Sequence, residues 1–299
     1  MICLTGLDGS NPLAFLAALG TLCALEDRGL TTRLSWENRG VWRPVLHGLD
    51  SLDELVDQLW ADLQTWDGEP ALQLSYRKGN KTERDLKPPP ERMSEYLRQM
   101  RALGGRSAAL AGAFGSDLVT DNNGATKPTA FHFTAGQQRF LTMAEDLRRG
   151  LTREDFVEAL AGPWRWTREL PVFAWDGSGA RGYALRATDP SKDKKTGVPA
   201  ADWLALLGLR LFPVTRTGDH LRTTGFTGGW KDGQFTWLIW EPPLTSCTVA
   251  SLLQHATLAA TAGSRARLGA WGVATAMESK VTRTDQGGYG SFNPPRVLW

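Results

Sequence analysis

Lysine and arginine are the residue types whose spacing points most directly to chemistry in this chain. Across 175–216 the sequence reads W-D-G-S-G-A-R-G-Y-A-L-R-A-T-D-P-S-K-D-K-K-T-G-V-P-A-A-D-W-L-A-L-L-G-L-R-L-F-P-V-T-R. Alternation there predicts a short strand with Arg181 and Tyr183 on one face and Arg186 on the other. Asp189-Pro190-Ser191 ends it, and Lys192, Lys194 and Lys195 crowd a loop closed by Gly197. Packing gives no reason for such a loop to be basic, whereas the phosphates of a polynucleotide do. The competing reading is a solvated surface loop.

A second basic run covers 77–106, with nine Lys/Arg against four Asp/Glu. Arg77, Lys78, Lys81, Arg84 and Lys87 show little apolar periodicity. They precede Pro88-Pro89-Pro90, so the expectation is a mobile loop ending where Glu91 begins a helix. Such a loop is suited to ordering on a nucleic acid. Further on, Asp121-Asn122-Asn123-Gly124 is a turn signal. Asn122, Asn123 and Lys127 are candidates for base edges or phosphates, although turn chemistry alone accounts for Asn and Gly.

Catalytic chemistry leaves fewer marks. His47, His132, His220 and His255 are scattered, with none of the paired spacings of a metal site. His132, between Phe131 and Phe133, reads as the polar face of a strand, and His255 as a structural histidine inside a helix. The phosphate loop, the dinucleotide fingerprint and the G-x-S-x-G nucleophile elbow are all missing. Asp8, Asp117, Asp121 and Asp176 could converge as a two-metal nuclease, yet each lies beside Gly, Ser or Asn, where caps and Asx-turns explain it. The expectation is a non-enzymatic protein that needs no cofactor or metal ion, with the nuclease and a purely structural adaptor as alternatives.

The elements that must position these residues follow from caps and periodicity. A strand at 2–7 leads to a helix capped by Asn11 with Pro12 in its first turn, carrying Leu13, Leu16, Leu19, Leu22 and Cys23 inward. Strands at 32–37 and 41–47 precede a helix that Ser51 and Glu54 cap and whose stripe is Leu52, Leu55, Val56, Leu59 and Leu63. A strand at 130–134, helices at 137–149 and from Thr152, a strand at 234–240 and a helix at 249–262 stopped by Gly263 complete the pattern. The tail G-G-Y-G-S-F-N-P-P-R is expected to be irregular. The order predicts an α+β fold with a mixed or antiparallel sheet layered by helices and long basic loops, in a single domain over 1–299.

Composition sets outer bounds. With 41% hydrophobic and 22% charged residues, the 299-residue chain reads as globular. The net charge of +2 divides unevenly: 1–70 holds eleven Asp/Glu against four Lys/Arg, or −7, and 71–299 holds thirty Lys/Arg against twenty-one Asp/Glu, or +9. The acidic part suits protein contacts and the basic remainder a polyanion. Cys3, Cys23 and Cys247 lack C-x-x-C spacing and read as core residues of a reduced protein. No signal-peptide pattern opens the chain and no apolar run reaches the ~20 residues of a membrane span, so a cytoplasmic location away from membranes is expected. Thirteen tryptophans are many for this length; the expectation is that most fill the core and some serve as flat contact surfaces.

With these residues in view, the chain resembles CRISPR-associated proteins of the type I-U (I-G) systems, particularly the small- and large-subunit-like components of the Cascade surveillance complex. The similarity rests on G-L-D-G-S-N-P-L-A-F-L-A-A-L-G, on A-R-G-Y-A-L-R-A-T-D-P-S with A-D-W-L-A-L-L-G-L-R-L-F-P-V, and on G-G-Y-G-S-F-N-P-P-R. It implies a non-catalytic effector subunit that binds guide RNA or target DNA, contacts other Cascade subunits, and takes part in reading the protospacer-adjacent motif and recruiting a helicase-nuclease. In RNA-guided recognition the guide reads sequence while protein reads backbone shape and a short motif. Arg181, Arg186, Lys192, Lys194 and Lys195 would then hold phosphates.

Overall fold

Asn11-Pro12 starts the helix on which the molecule is built. In the computed structural model, which describes residues 1–178, 196–283 and 288–299, β1 (Ile2–Cys3) leads into α1 (Pro12–Asp27). The Asn11 side chain caps α1 by accepting from Leu13 N at 2.9 Å. Residues 12–25 of α1 are buried on every face, the signature of a central core helix.

β2 (Arg33–Asn38) and β3 (Trp42–His47) follow, then α2 (Leu52–Gln64), capped by Ser51 Oγ accepting from Glu54 N at 3.1 Å. Next come a hairpin of β4 (Tyr76–Lys78) and β5 (Lys81–Glu83), the helices α3 (Pro90–Leu103) and α4 (Gly105–Phe114), and a second hairpin of β6 (Gly115–Thr120) and β7 (Thr126–Pro128). Helices α5 (Phe140–Gly150) and α6 (Arg153–Ala161) follow, the latter opened by the Thr152–Asp155 capping box.

After residue 195 come α7 (Pro199–Gly208), a third hairpin of β8 (Val214–Thr217) and β9 (His220–Thr223), then β10 (Phe226–Thr227) and β11 (Gln234–Trp240). The chain ends with α8 (Ser246–Leu253), α9 (Ser264–Gly269), the long β12 (Val273–Arg283), β13 (Gly290–Phe292) and β14 (Arg296–Val297).

The fold is α+β, and every strand pairing among the described residues is antiparallel. One sheet has the order β1-β3-β2; the larger has β10-β11-β12, with β13 and β14 both pairing with β12. Leu34 and Leu244 join the region of the two sheets by reciprocal backbone bonds of 2.8 and 2.9 Å. An aromatic group fills the space between them and α1: Phe15 lies 5.7 Å from Trp36 and 5.9 Å from Trp237, and Trp36 meets Trp240 edge-on at 6.0 Å. Both partner tryptophans satisfy their indole N–H, Trp237 to Gly9 O and Trp240 to Leu34 O, each at 2.8 Å.

On its other side α1 crosses α7 at backbone contact. A Cβ at Gly20 would stand 1.6 Å from Leu204 O, and one at Gly208 would stand 2.4 Å from Leu16 O. Glycine is required at this crossing for lack of room, since neither residue has a positive φ.

Several expectations differ, beginning with the strand at 2–7, which covers only Ile2–Cys3. Residues 130–134 form no strand: Phe131, His132 and Phe133 are all buried, which the alternating faces of a half-exposed strand cannot provide. His132 is therefore a core residue rather than the polar side of a strand. The helix expected at 249–262 stops at Leu253, a 3₁₀ turn occupies Ala256–Ala260, and exposed His255 sits between them at 5.2 Å from the Trp271 ring. The tail is ordered as β13 and β14 because β12 is long enough to offer both a pairing edge. Of the cysteines, Cys23 is buried, Cys3 half-buried and Cys247 exposed, so Cys247 is not a core residue. No helix among the described residues is long and apolar enough to cross a membrane.

Gly20→Ala should cost about 3 kcal/mol or more in urea denaturation, because the overpacked crossing must open. Gly112→Ala in α4, where nothing lies within 4 Å of the added Cβ, should be neutral or stabilising by about 1 kcal/mol. Equal effects would contradict the close crossing.

Candidate nucleic-acid interface

The first part of the basic run, through Glu83, is a built hairpin rather than the expected mobile loop. Arg77 pairs with Thr82 and Lys78 with Lys81 across it, and Gly79 takes the positive φ of 60° that the tight turn needs. Arg77, Lys78 and Lys81 are exposed. The hairpin is held down by the acidic residues that sequence reading passed over. Glu83 is buried and bonded to Arg139, with Arg139 Nη2 to Glu83 Oε1 at 3.0 Å. The Arg139 hydrogen bond keeps the Glu83 carboxyl below its usual range.

Asp85 is buried beside it and accepts from His132 Nε2 at 2.9 Å and from Phe140 N at 3.1 Å. Burial opposes its ionisation, but His132 and the backbone N–H groups of Phe140 and Leu86 outweigh it and leave the carboxyl at about 2. His132 is pushed below its ordinary value by its own burial, against the pull of Asp85. His132 Nε2 is the donor to Asp85, and among the described residues Nδ1 has no hydrogen-bond partner.

Arg84 is turned to structure: its Nη2 donates to Leu72 O at 2.9 Å. Lys87, half-buried, reaches instead toward Trp230, with Nζ 5.7 Å from the ring centroid. Burial lowers the Lys87 pKa, and Lys78, Arg283 and Asp121 all act on its ammonium group.

Trp230 stands at the tip of the β10–β11 connection, T-G-G-W-K-D-G. Gly228 has a φ of 77° there, Gly229 N donates to Asp232 Oδ1 at 2.7 Å, and the indole is left 50% exposed. The Arg283 guanidinium lies over this ring at 3.4 Å from its centroid and 5.4 Å from that of Phe133. Arg283 Nε donates to Trp230 O at 3.0 Å, which fixes the stack. Desolvation alone draws the Arg283 pKa down to about 10, so the group stays charged at neutral pH. Sequence reading missed Trp230 and Arg283. The available signal for Trp230 was a tryptophan in a Gly-rich turn beside lysine, where a core role is excluded.

The β6–β7 hairpin abuts the same face. Thr126 donates to Pro88 O through both its N and its Oγ1, each at 2.9 Å, which places Lys127 beside the segment that follows Lys87. Asp121 Oδ1 accepts from Asn123 N at 2.8 Å and Ala125 N at 3.1 Å, so Asp121 is an Asx-turn former. Asn122 and Asn123 are exposed at the tip, and Lys127 is half-buried. Lys87 thus feels the charges of Asp85, Arg283, Asp121 and Lys78, and the hairpin that carries Lys127 joins the same segment at Pro88. Arg181, Arg186, Lys192, Lys194 and Lys195 lie outside the described residues.

The four aspartates do not converge. Asp117 and Asp121 belong to the β6–β7 hairpin, which packs on α3 and β8, while Asp8 and Asp176 sit at the start of α1. Among the described residues no three of His, Cys, Asp and Glu gather in a metal-binding group. A scan against models of known protein families finds no match, and a search of curated proteins finds none either.

The depressed pKa of Asp85 carries a pH prediction. Its stabilisation is present above the unfolded value, about 4, and is lost as pH falls through about 2. By denaturant titration, the stability difference between the native chain and Asp85→Asn should shrink by on the order of 2 kcal/mol between pH 5 and pH 2. A constant difference would show that the carboxylate does not clamp the hairpin.

Proposed function

We propose that the protein is a non-enzymatic, nucleic-acid-binding subunit of an RNA-guided, Cascade-type antiviral complex, holding the backbone of guide RNA or target DNA on its basic face. The observation that supports this most is the half-exposed Trp230 indole with Arg283 stacked on it and Lys87 beside it. Single-stranded nucleic acid is commonly bound by this combination: a π surface for a base and cations for the flanking phosphates. Arg77, Lys78 and Lys81, exposed on the β4–β5 hairpin, extend the cationic surface. Asn122, Asn123 and Lys127 offer contacts to a duplex or a base edge, in keeping with a part in reading the protospacer-adjacent motif. The exposed carboxylates of Asp53, Glu54 and Asp57 on acidic α2 suit a neighbouring subunit better than a polyanion. A partner helicase-nuclease would supply the cleavage chemistry.

Binding of a fluorescent single-stranded RNA or DNA, followed by anisotropy over a salt series, tests the reading. Trp230→Ala should weaken binding by about 1–3 kcal/mol at every salt concentration. Replacing Lys78 and Lys81 together by Ala should flatten the logarithmic salt dependence by about 1.4, two phosphate contacts' worth on a single strand. Absence of binding, or an unchanged slope, would remove the assignment. Co-expression with a guide RNA and its neighbouring subunits tests the Cascade part separately, through co-purification.

A further inference from the structure

A cavity of about 530 Å³ opens at the start of α1, away from the basic face, lined among others by Asp8, Ser10, Arg43, Trp164, Trp166 and Ser178. Its walls are set by short-range contacts between the first turn of the chain and the end of α6. Gly6 N donates to Leu160 O at 2.8 Å and Thr5 Oγ1 to Ala161 O at 2.9 Å. A Cβ on Gly6 would stand 2.6 Å from Ala159 O and from Gly162 N, so no larger residue fits there.

Trp166 is the unusual residue of the cavity. Its φ of 52° is left-handed, a conformation rare for a bulky side chain, and it is 43% exposed. Asp176 holds it there, accepting from Trp166 Nε1 at 2.8 Å, while its other oxygen accepts from Asn11 Nδ2 at 2.7 Å and Ser178 Oγ at 2.7 Å. Burial acts against Asp176 ionising, and the donors of Ser178, Asn11 and Trp166 outweigh it, keeping the carboxyl below its usual range. Trp164 meets Trp166 edge-on at 6.1 Å. The molecule therefore holds a flat ring partly in solvent by means of a carboxylate whose hydrogen-bonding capacity is already engaged.

The remaining polar groups are left with capacity. Arg43 uses Nη1 on Leu7 O at 2.9 Å and forms no ion pair among the described residues, although Asp8 lines the same cavity. Asp8 accepts from Ser10 N and Oγ through Oδ1, at 2.9 and 2.8 Å, and among the described residues Oδ2 has no hydrogen bond. An aromatic ring, a guanidinium donor and a carboxylate acceptor are complementary to a planar ligand bearing both donors and acceptors. With Asp8 and Asp176 against a single arginine, a phosphate is disfavoured.

We propose that this cavity binds one unstacked guanine base. The base would stack on Trp166, accept from Arg43 at O6 and N7, and donate N1–H and N2–H to Asp8. Guanine is the base that combines two adjacent donors with two adjacent acceptors. The volume lies in the usual range of small-ligand sites, about 300–1,000 Å³. The choice of a nucleobase over other planar ligands rests on the nucleic-acid reading above.

Saturation-transfer NMR of the full chain with 2′-deoxyguanosine, thymidine, 2′-deoxycytidine and ribose tests the proposal without any strand. The expected result is 2′-deoxyguanosine binding at least tenfold tighter than the other three. Asp8→Asn, Arg43→Met and Trp166→Gly should each weaken it at least tenfold. Glycine suits the positive φ at 166, so a loss there reports on the ring rather than on strain. Equal affinity for the nucleosides, binding of ribose as tight as that of 2′-deoxyguanosine, or no nucleoside binding would overturn it. Failure of the basic face shows separately, as strand binding that Trp230→Ala does not weaken.

Discussion

The backbone contact between α1 and α7 is the constraint on which the rest depends. Two helices buried on nearly all sides, fourteen residues of α1 and all of α7 among them, can touch this closely only where Gly20 and Gly208 remove the side chains. Their approach sets the depth at which Phe15 meets Trp36, Trp237 and Trp240, and so the distance between α1 and the sheets. Close-packed interiors do not absorb a displacement of a methyl group locally. Arg210, just beyond α7, anchors the same pair from outside, with Nη1 bonded to Asp27 at 2.6 Å.

The two candidate sites lie at opposite outcomes of this packing. On one face, buried carboxylates hold exposed cations: Glu83 and Asp85 fix the β4–β5 hairpin to α5, and what remains outside is Arg77, Lys78 and Lys81. On another, a satisfied carboxylate, Asp176, holds an exposed indole. In both places the buried acid has a positional role, and the solvent-facing groups keep unused binding capacity. A partly desolvated cation such as Lys87 or Arg283 interacts more strongly with a ring or a phosphate than a fully hydrated one.

Much of the local structure was legible in the residue order. Asn11, Ser51 and the Thr152–Asp155 pair cap helices because short polar side chains reach orphan N–H groups within three residues, an interaction that needs no distant partner. The strand at 234–240 was legible from its apolar run. Where sequence reasoning failed, the deciding partner was remote. The 77–87 segment looked disordered because Arg139, fifty-six residues from Glu83, was not available to a local reading. The tail looked irregular because its pairing edge belongs to β12. The 130–134 segment looked like a strand because Phe-His-Phe alternates, yet the aromatic cluster around Phe131 and the Asp85 carboxylate draw all three residues inside.

For the sites the division is similar. By itself the sequence determined helix starts, turn positions, the α+β class and the presence of a surplus of cations after residue 70, all of which follow from short-range sterics, capping and composition. Only the tertiary structure decided which cations are spent on structure and which face solvent. It turned Arg84 to Leu72 O, stacked Arg283 on Trp230 and brought Asp8, Arg43 and Trp166 to one cavity. The reason is physical: a side chain's charge is written in its residue type, but its desolvation and its partners depend on groups that folding brings from far along the chain.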